Sequence, residues 1–596
     1  MLSVLDHAPP RDVAPYHYEP FQDEKSIRVL MLLPSTSLKA EIHVKLKIAP
    51  LTKELYYEAL SYTWGTMQGD YSMSSTIFCD GSEIKVTRNC EDALRRLRLE
   101  EEERVLWVDA ICINQKDNDE KSVQVAFMGA VYGHAAKALI WLGDASEIID
   151  TETGLPISDL FFNYLPLMAD EIRAAKAKGE VPANTALYKA LTAQGADFIT
   201  TKNLTPLIQG FLDVVRRPWW ERVWVVQEAA LARSATVICG GKDVDHSNVG
   251  DLWSVLAQDN SHDSGLMYSL LDGFKHHMSA ITCVRERLGI LGPARALLKV
   301  LDRCRRLQST DRRDRVYAML GMFGDFQAEL PQPNYGNKSH RLFEEMTIKF
   351  LTDLGGLRIL ANATNAGDDP NISSWAVDFS QRPKFHTPIH DDLYHASGHK
   401  SKPSFKVSDD FRILRIMGKC VDRLKMVSKA PVEGYYNPYI PQKAILGYQQ
   451  SCRVGQLLNE YPTGEDLCDV LWRTMCWDVD ANYQCPAAPM LRKPFQNFRN
   501  SLLSGKEVEV IELELLDAES YEFNDICVHS MPLCITANGY LASVPWTAEA
   551  GDCVIIFAGG ELPFILRKDP VGEHYRFIGA CYIHGIMHGE VFRVRV

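Results

Sequence analysis

The segment from Val105 to Gly143 constrains the fold more than any other part of the chain. Val105-Leu-Trp-Val-Asp109 is an apolar run closed by an acid, and a polar loop, Cys112-Ile-Asn-Gln-Lys-Asp-Asn118, follows it. Phe127, Met128, Val131, Tyr132 and Ala135 then recur at spacings of three and four, the period of a helix with one apolar side. Ala138-Leu-Ile-Trp-Leu-Gly143 is a second apolar strand ending at glycine. Strand, loop, helix and strand in this order predict a parallel, α/β arrangement.

The flanking sequence extends that sheet. Ile27–Pro34 is an apolar run stopped by proline, and residues 42–48 alternate apolar with polar, as in a half-buried strand. Tyr57-Glu-Ala-Leu-Ser-Tyr62 runs into a loop at Gly65. Ile77–Val86 carries Asp80-Gly81 at its centre, which predicts a hairpin. Thr87-Arg-Asn89 can cap a helix over 90–100, and Ala235–Cys239 is a further strand. The expected fold class is α/β, a mainly parallel sheet flanked by helices in a head over residues 1–245. Residues 146–205, Ala- and Lys-rich, are expected to be a peripheral helical insertion whose deletion leaves the head folded. A helical middle region over 246–355 follows, then a mixed β-rich region over 356–596, with strand signals at 552–557, 562–567, 576–583 and 591–596.

Composition narrows the function. The 596 residues carry 64 Lys and Arg against 77 Asp and Glu, a net charge of −13. That balance lacks the basic footprint of phosphate-dominated binding, so no nucleic-acid partner is expected. Fifteen cysteines, an odd number and without a C-x-x-C pair, fit reduced thiols inside a cell. Met1–Pro10 has no basic region leading into an apolar run, and no stretch reaches the roughly 20 apolar residues of a membrane span. A cytoplasmic location is expected. The P-loop, the Rossmann fingerprint, G-x-S-x-G and H-E-x-x-H are all absent. His386, His390, His395 and His399 cluster among Pro and Gly, and His584 precedes His588. Neither group has ligand spacing on a clear helix, so no metal site is expected.

Three long motifs carry a family resemblance. Tyr57-Glu-Ala-Leu-Ser-Tyr-Thr-Trp-Gly65 resembles the opening motif of the heterokaryon-incompatibility (HET) domain of filamentous fungi. Trp107-Val-Asp-Ala-Ile-Cys-Ile-Asn-Gln-Lys-Asp117, followed by Glu120, Gln124, Met128, Tyr132 and Trp141-Leu-Gly143, resembles its central block. Arg217-Pro-Trp-Trp-Glu-Arg-Val-Trp-Val-Val-Gln-Glu228 resembles its closing block. This puts the domain core at 57–228, interrupted by the insertion. Thr310–Gly321, Ser374–Asp378 and the Gly551–Ile556 and Gly585–Glu590 blocks are similar to segments that follow the domain in such proteins, although Phe379 stands where a Trp is usual. The resemblance implies fungal nonself recognition leading to growth arrest or cell death. The HET domain is in turn remotely similar to the Toll/interleukin receptor (TIR) fold, some members of which hydrolyse NAD. Carried over, Glu228 corresponds to the TIR catalytic glutamate, with NAD as a substrate and no cofactor.

Two readings accompany each candidate residue. Glu228 can stabilise an oxocarbenium-like ribose or hold its hydroxyls, or it can pair with Arg222 or Arg217 to fix its helix. Asp109, with Asn114 and Gln115, ends a strand where open α/β sheets bind ligands, or serves as a turn and cap residue. Tyr62 and Trp64 can stack on a base and Gly65 can admit a ligand to the backbone, or the aromatics fill the core. Trp107 and Trp224 are expected in the core, and Cys112 as a structural thiol. If the head binds a nucleotide, Tyr62, Trp64, Asp109, Asn114, Gln115 and Glu228 should converge at the carboxyl edge of the sheet. Glu228 should then lie on the cleft wall, with an oxygen free of both arginines. The alternative to an enzyme is a signalling module acting by self-association and recruitment of an incompatibility partner.

Overall fold

The computed structural model describes residues 13–23, 25–179, 206–257, 271–363, 369–381, 393–398, 403–428, 442–480, 484–507 and 531–592. The chain divides into two compact units, the first reaching to Gly336 and the second starting at Asn337.

The first unit is organised by a nine-stranded sheet. Its strands are β1 (Ser26–Leu32), β2 (His43–Pro50), β3 (Glu58–Tyr62), β4 (Ser75–Cys79), β5 (Ser82–Val86), β6 (Arg104–Trp107), β7 (Lys137–Trp141), β8 (Ala235–Cys239) and β9 (Lys242–Asp245). They lie in the order β5-β4-β2-β1-β6-β3-β7-β8-β9. The centre, β6-β3-β7-β8, is parallel throughout, with Glu58 opposite Leu106 and Tyr62 opposite Trp141. β1 runs antiparallel to β2 and β6, while β2 and β4 are parallel. The sheet is therefore mixed around a parallel core, and the three strands expected near 58–62, 105–109 and 138–142 are neighbours in it. Central strands need apolar residues on both faces, and β3 supplies them: Ala59, Leu60, Ser61 and Tyr62 are all buried. The β4–β5 hairpin turns at Asp80 and Gly81, with φ of 48° and 85°, the left-handed pair that a tight hairpin requires.

Capping sets the first helices. Thr87 Oγ1 accepts from the Cys90 amide at 3.4 Å to start α1 (Arg88–Leu97). Asp117 accepts from the amides of Asp119 and Glu120 to start α3 (Asn118–His134), the crossover helix between β6 and β7.

Two expectations are corrected. Asp109 does not end a strand: β6 stops at Trp107, and Asp109 opens a one-turn helix, α2 (Asp109–Cys112), with its own Oδ1 on the Ala110 amide at 2.7 Å. A short acid bonding the next backbone amide favours that turn over extension. The insertion is helical but not peripheral. α4 (Ile157–Ala177) buries Ile157, Leu160, Phe161, Phe162, Leu165, Met168, Ala169 and Ile172, and it packs on α5 (Pro206–Val215), β9 and the helix His246–Leu256. Residues 180–205 lie outside the described residues. The helices Asp272–Leu291, Pro293–Cys304 and Asp314–Leu320 belong to the first unit, packing with one another and against the closing block.

The second unit holds a two-stranded hairpin, β10 (Phe405–Val407) with β11 (Leu414–Ile416), and a seven-stranded antiparallel sheet. The strands of that sheet are β12 (Gly418–Val427), β13 (Leu533–Thr536), β14 (Leu541–Ser543), β15 (Cys553–Phe557), β16 (Pro563–Lys568), β17 (Tyr575–Ala580) and β18 (Tyr582–Ile583), in the order β17-β16-β15-β12-β13-β14-β18. The period of two divides its burial. Leu533 and Ile535 join the core formed with the helices Gln442–Gly455, Leu467–Met475 and Arg492–Leu502, whereas Cys534 faces the core with Val554, Ile556, Ile565 and Ile578. Of the strand expected over 591–596, residues 591 and 592 belong to a 3₁₀ turn at Glu590–Phe592, and the other four lie outside the described residues. His386, His390 and His399, and the Pro/Tyr-rich stretch up to 441, also lie outside them. His584 is engaged by Tyr582 and Glu465.

Candidate functional site

Because β3 and β6 are parallel, their carboxyl ends reach the same edge of the sheet, and the turns after them meet there. The Trp64 indole donates to Asp109 Oδ2 at 3.0 Å, and the Gln115 carboxamide donates to the Asp109 carbonyl at 2.9 Å. Asn114 is drawn into its own turn, its Oδ1 accepting from the Lys116 amide and its N–H bonding Glu120. Glu120 in turn holds the buried Arg28 guanidinium at 2.6 and 2.9 Å, which fixes the whole loop beneath the start of α3. Gly65 is buried under the exposed Tyr71: a Cβ there would lie 2.7 Å from the ring and would push it aside.

The closing block brings Glu228 to this edge. Trp219 and Trp220 pack edge to face with centroids 4.7 Å apart, and their indoles bond Ser61 Oγ at 2.8 Å and the Val214 carbonyl at 2.9 Å. This anchors a 3₁₀ turn, Pro218–Glu221, against β3, from which α6 (Trp224–Leu231) starts. Glu228 on α6 faces Ser61 of β3 and Tyr132 of α3, and Tyr132 itself donates to the Leu60 carbonyl. Glu228 is only 4% exposed, so it does not stand on an open cleft wall: α6 presses that side onto β3 and α3.

Its carboxylate is nonetheless unsaturated, because Oε2 has no hydrogen-bond partner. Arg217 is committed elsewhere, to the Leu142 and Asp144 carbonyls and to Asp213. Arg222 donates to the Tyr62 carbonyl. Burial pushes the Glu228 carboxyl up to about 7, against the opposing pull of Arg222, Ser61 and Tyr132, with the Asp109 charge adding to the rise. Burial likewise raises Asp109, opposed by Arg222 and the Trp64 indole. The positive charge of Arg222 thus acts on both carboxyls without an ion pair to either. A buried acceptor without a partner and with a displaced pKa marks Glu228 as the candidate reactive carboxyl of this edge.

Among the sequence-predicted residues, Tyr62, Trp64, Asp109, Gln115 and Glu228 gather at this edge. Tyr62 is buried beside the Cys90 thiol and is coupled electrostatically to Asp109 and Arg222. Ser61 and Tyr132 were not among the predicted site residues, one being a serine within an apolar strand and the other a member of the apolar side of α3. Trp107 lies in the core against Tyr132, whereas Trp224 is half-buried and hydrogen-bonds Asp314. Cys112 is a buried structural thiol, its sulfur accepting from the Val108 amide and its pKa raised by burial to about 12.

Comparison with known proteins agrees with the motifs. The family model "Heterokaryon incompatibility protein (HET)" matches residues 57–228, and "Het-6 beta-barrel domain" matches residues 506–595. Heterokaryon incompatibility protein 6, OR allele, of Neurospora crassa is 24% identical over 656 residues, covering 95% of this chain and 94% of that protein. No solved structure matches. Within the described residues no helix is long and apolar enough to cross a membrane. The span matched by the family model holds all three motifs, so the chain carries a HET domain over residues 57–228 and a segment matched by the Het-6 β-barrel domain over residues 506–595.

Proposed function

We propose that the protein acts in heterokaryon incompatibility, the process named for its Neurospora relative, and that its head executes the response by hydrolysing the nicotinamide–ribose bond of NAD. The observation that carries the chemical reading is Glu228: buried, one oxygen without a partner, titrating near 7 and beside Asp109 and Arg222. In this reaction the C–N bond breaks towards nicotinamide, the ribose passes through an oxocarbenium-like state, and water adds at the anomeric carbon. Ionised Glu228 stabilises that cation and accepts the proton water releases, so ADP-ribose, nicotinamide and a proton are the products. Trp64, its indole held by Asp109, supplies an aromatic ring at the same edge of the sheet. The TIR-like ancestry of the head belongs to the same proposal.

A second reading rests on a specific observation. Glu228 is 4% exposed and both Asp109 oxygens are engaged, by Trp64 and by the Ala110 amide. This suits a head that signals by self-association or by recruiting an incompatibility partner. Under the enzymatic reading the same burial requires the site to open first, which ties catalysis to assembly. Induced expression of wild-type and E228Q chains in fungal hyphae separates the two. Falling NAD and growth arrest with wild type, both abolished in E228Q of equal abundance, supports the enzyme. Undiminished arrest by E228Q supports the recruiting module.

A further inference from the structure

The sheet of the second unit contains a paired thiol arrangement that the head's chemistry does not use. Cys420 lies on β12 and Cys553 on the adjacent antiparallel strand β15. Residues three apart on a regular strand point to opposite faces, so Cys420 and Arg423 should not meet the same neighbours. A bulge between Cys420 and Asp422 changes this: Cys420 pairs with Ile555 and Arg423 with Cys553, two positions apart on β15 and therefore on one face. Cys420 is exposed and Cys553 is buried, on neighbouring strands two positions apart in register. The Arg423 guanidinium donates to Cys553 Sγ at 3.1 Å and to the Gly551 carbonyl at 3.2 Å, while the Cys420 thiol donates to the Asp422 carbonyl at 3.5 Å. Burial and the neighbouring Cys420 raise the Cys553 thiol, and Arg423 acts against that rise.

We propose that Cys420 and Cys553 form a peroxide-responsive dithiol, with Cys420 the thiol that a hydroperoxide oxidises first and Cys553 the resolving thiol. Cys420, as thiolate, takes the terminal oxygen of the peroxide and becomes a sulfenic acid, and the other oxygen leaves as water or an alcohol. Cys553 sulfur, its thiolate supported by Arg423, then attacks the Cys420 sulfur. A disulfide forms and the sulfenic oxygen leaves as a second water carrying the Cys553 proton. Two thiols are oxidised by two electrons and one peroxide is reduced. The product staples the two strands across the bulge, between two neighbouring central strands of the seven-stranded sheet.

The test is peptide mapping of the full chain after brief exposure to stoichiometric hydrogen peroxide, with free thiols alkylated and the digest left unreduced. The expected result is one linked peptide pair containing Cys420 and Cys553, two mass units below the dithiol and released by dithiothreitol. A raised Tm should accompany it, Cys468 should stay alkylatable, and R423Q should form the link several-fold more slowly. In C420S the link should vanish with Cys553 still reduced. Recovery of Cys420 as sulfinic acid beside a reduced Cys553, or alkylation of both thiols while other cysteines oxidise, would overturn the proposal.

Discussion

At the scale of single residues the account turns on the protonation of Glu228. Its carboxyl is raised from the ordinary 4.5 to about 7. The folded state therefore holds a proton that the unfolded state releases, so its contribution to stability is present at low pH and is lost as pH rises from about 4.5 through 7. E228Q removes that dependence. The substitution should stabilise the protein by roughly 2–3 kcal/mol at pH 8 and by under about 1 kcal/mol at pH 5, since each tenfold change in proton affinity is worth about 1.4 kcal/mol. Urea midpoints across this range check the difference, and a pH-independent offset would contradict it. Arg222 holds both Glu228 and Asp109 down from still higher values. R222Q should therefore move the Glu228 titration above 7, read by carbon NMR of labelled glutamate; an unchanged or lower midpoint would show that the guanidinium does not govern it.

At the scale of elements, local patterns and distant packing separate what a sequence reveals from what it hides. β3, β6 and β7 are legible because each is a short apolar run and the crossover helix between β6 and β7 shows its period. The start of α2 at Asp109 is not, because one side-chain bond to the next amide decides it. The apolar side of α4 has helical spacing, yet its burial is set by α5, β9 and the helix His246–Leu256, none of which is adjacent in sequence. Phe161, 2% exposed, should cost about 3–5 kcal/mol when changed to Ala, and removal of 157–177 should unfold the first unit. Soluble, cooperatively melting protein without α4 would restore the peripheral reading. The candidate site divides in the same way: the motifs point to Glu228 and Asp109, but the surroundings of the Glu228 carboxyl are set by Ser61, Tyr132 and Arg222, which come from three separate segments. A close approach on α3 tests this packing, since a Cβ at Gly129 would lie 2.7 Å from the Gly321 carbonyl oxygen, and one at Gly321 2.5 Å from Gln227 Oε1. Gly129→Ala should destabilise by about 1–3 kcal/mol in a melting experiment, because backbone cannot yield as a side chain can.

At the scale of the whole molecule, the chain joins a head matched by the HET model to a unit whose antiparallel sheet takes β13–β18 from the segment matched by the Het-6 β-barrel model, and the alignment to its Neurospora relative covers 95% of the chain. The central claim is that the head cleaves NAD through Glu228. The most direct measurement is nicotinamide release by purified full-length protein incubated with NAD over pH 5–9, at protein concentrations that allow self-association. The account predicts equimolar nicotinamide and ADP-ribose, a rate rising through pH 7 as Glu228 ionises, and loss of at least a hundredfold in folded E228Q. No release from wild type at any of these concentrations, or equal release from wild type and E228Q, would contradict it.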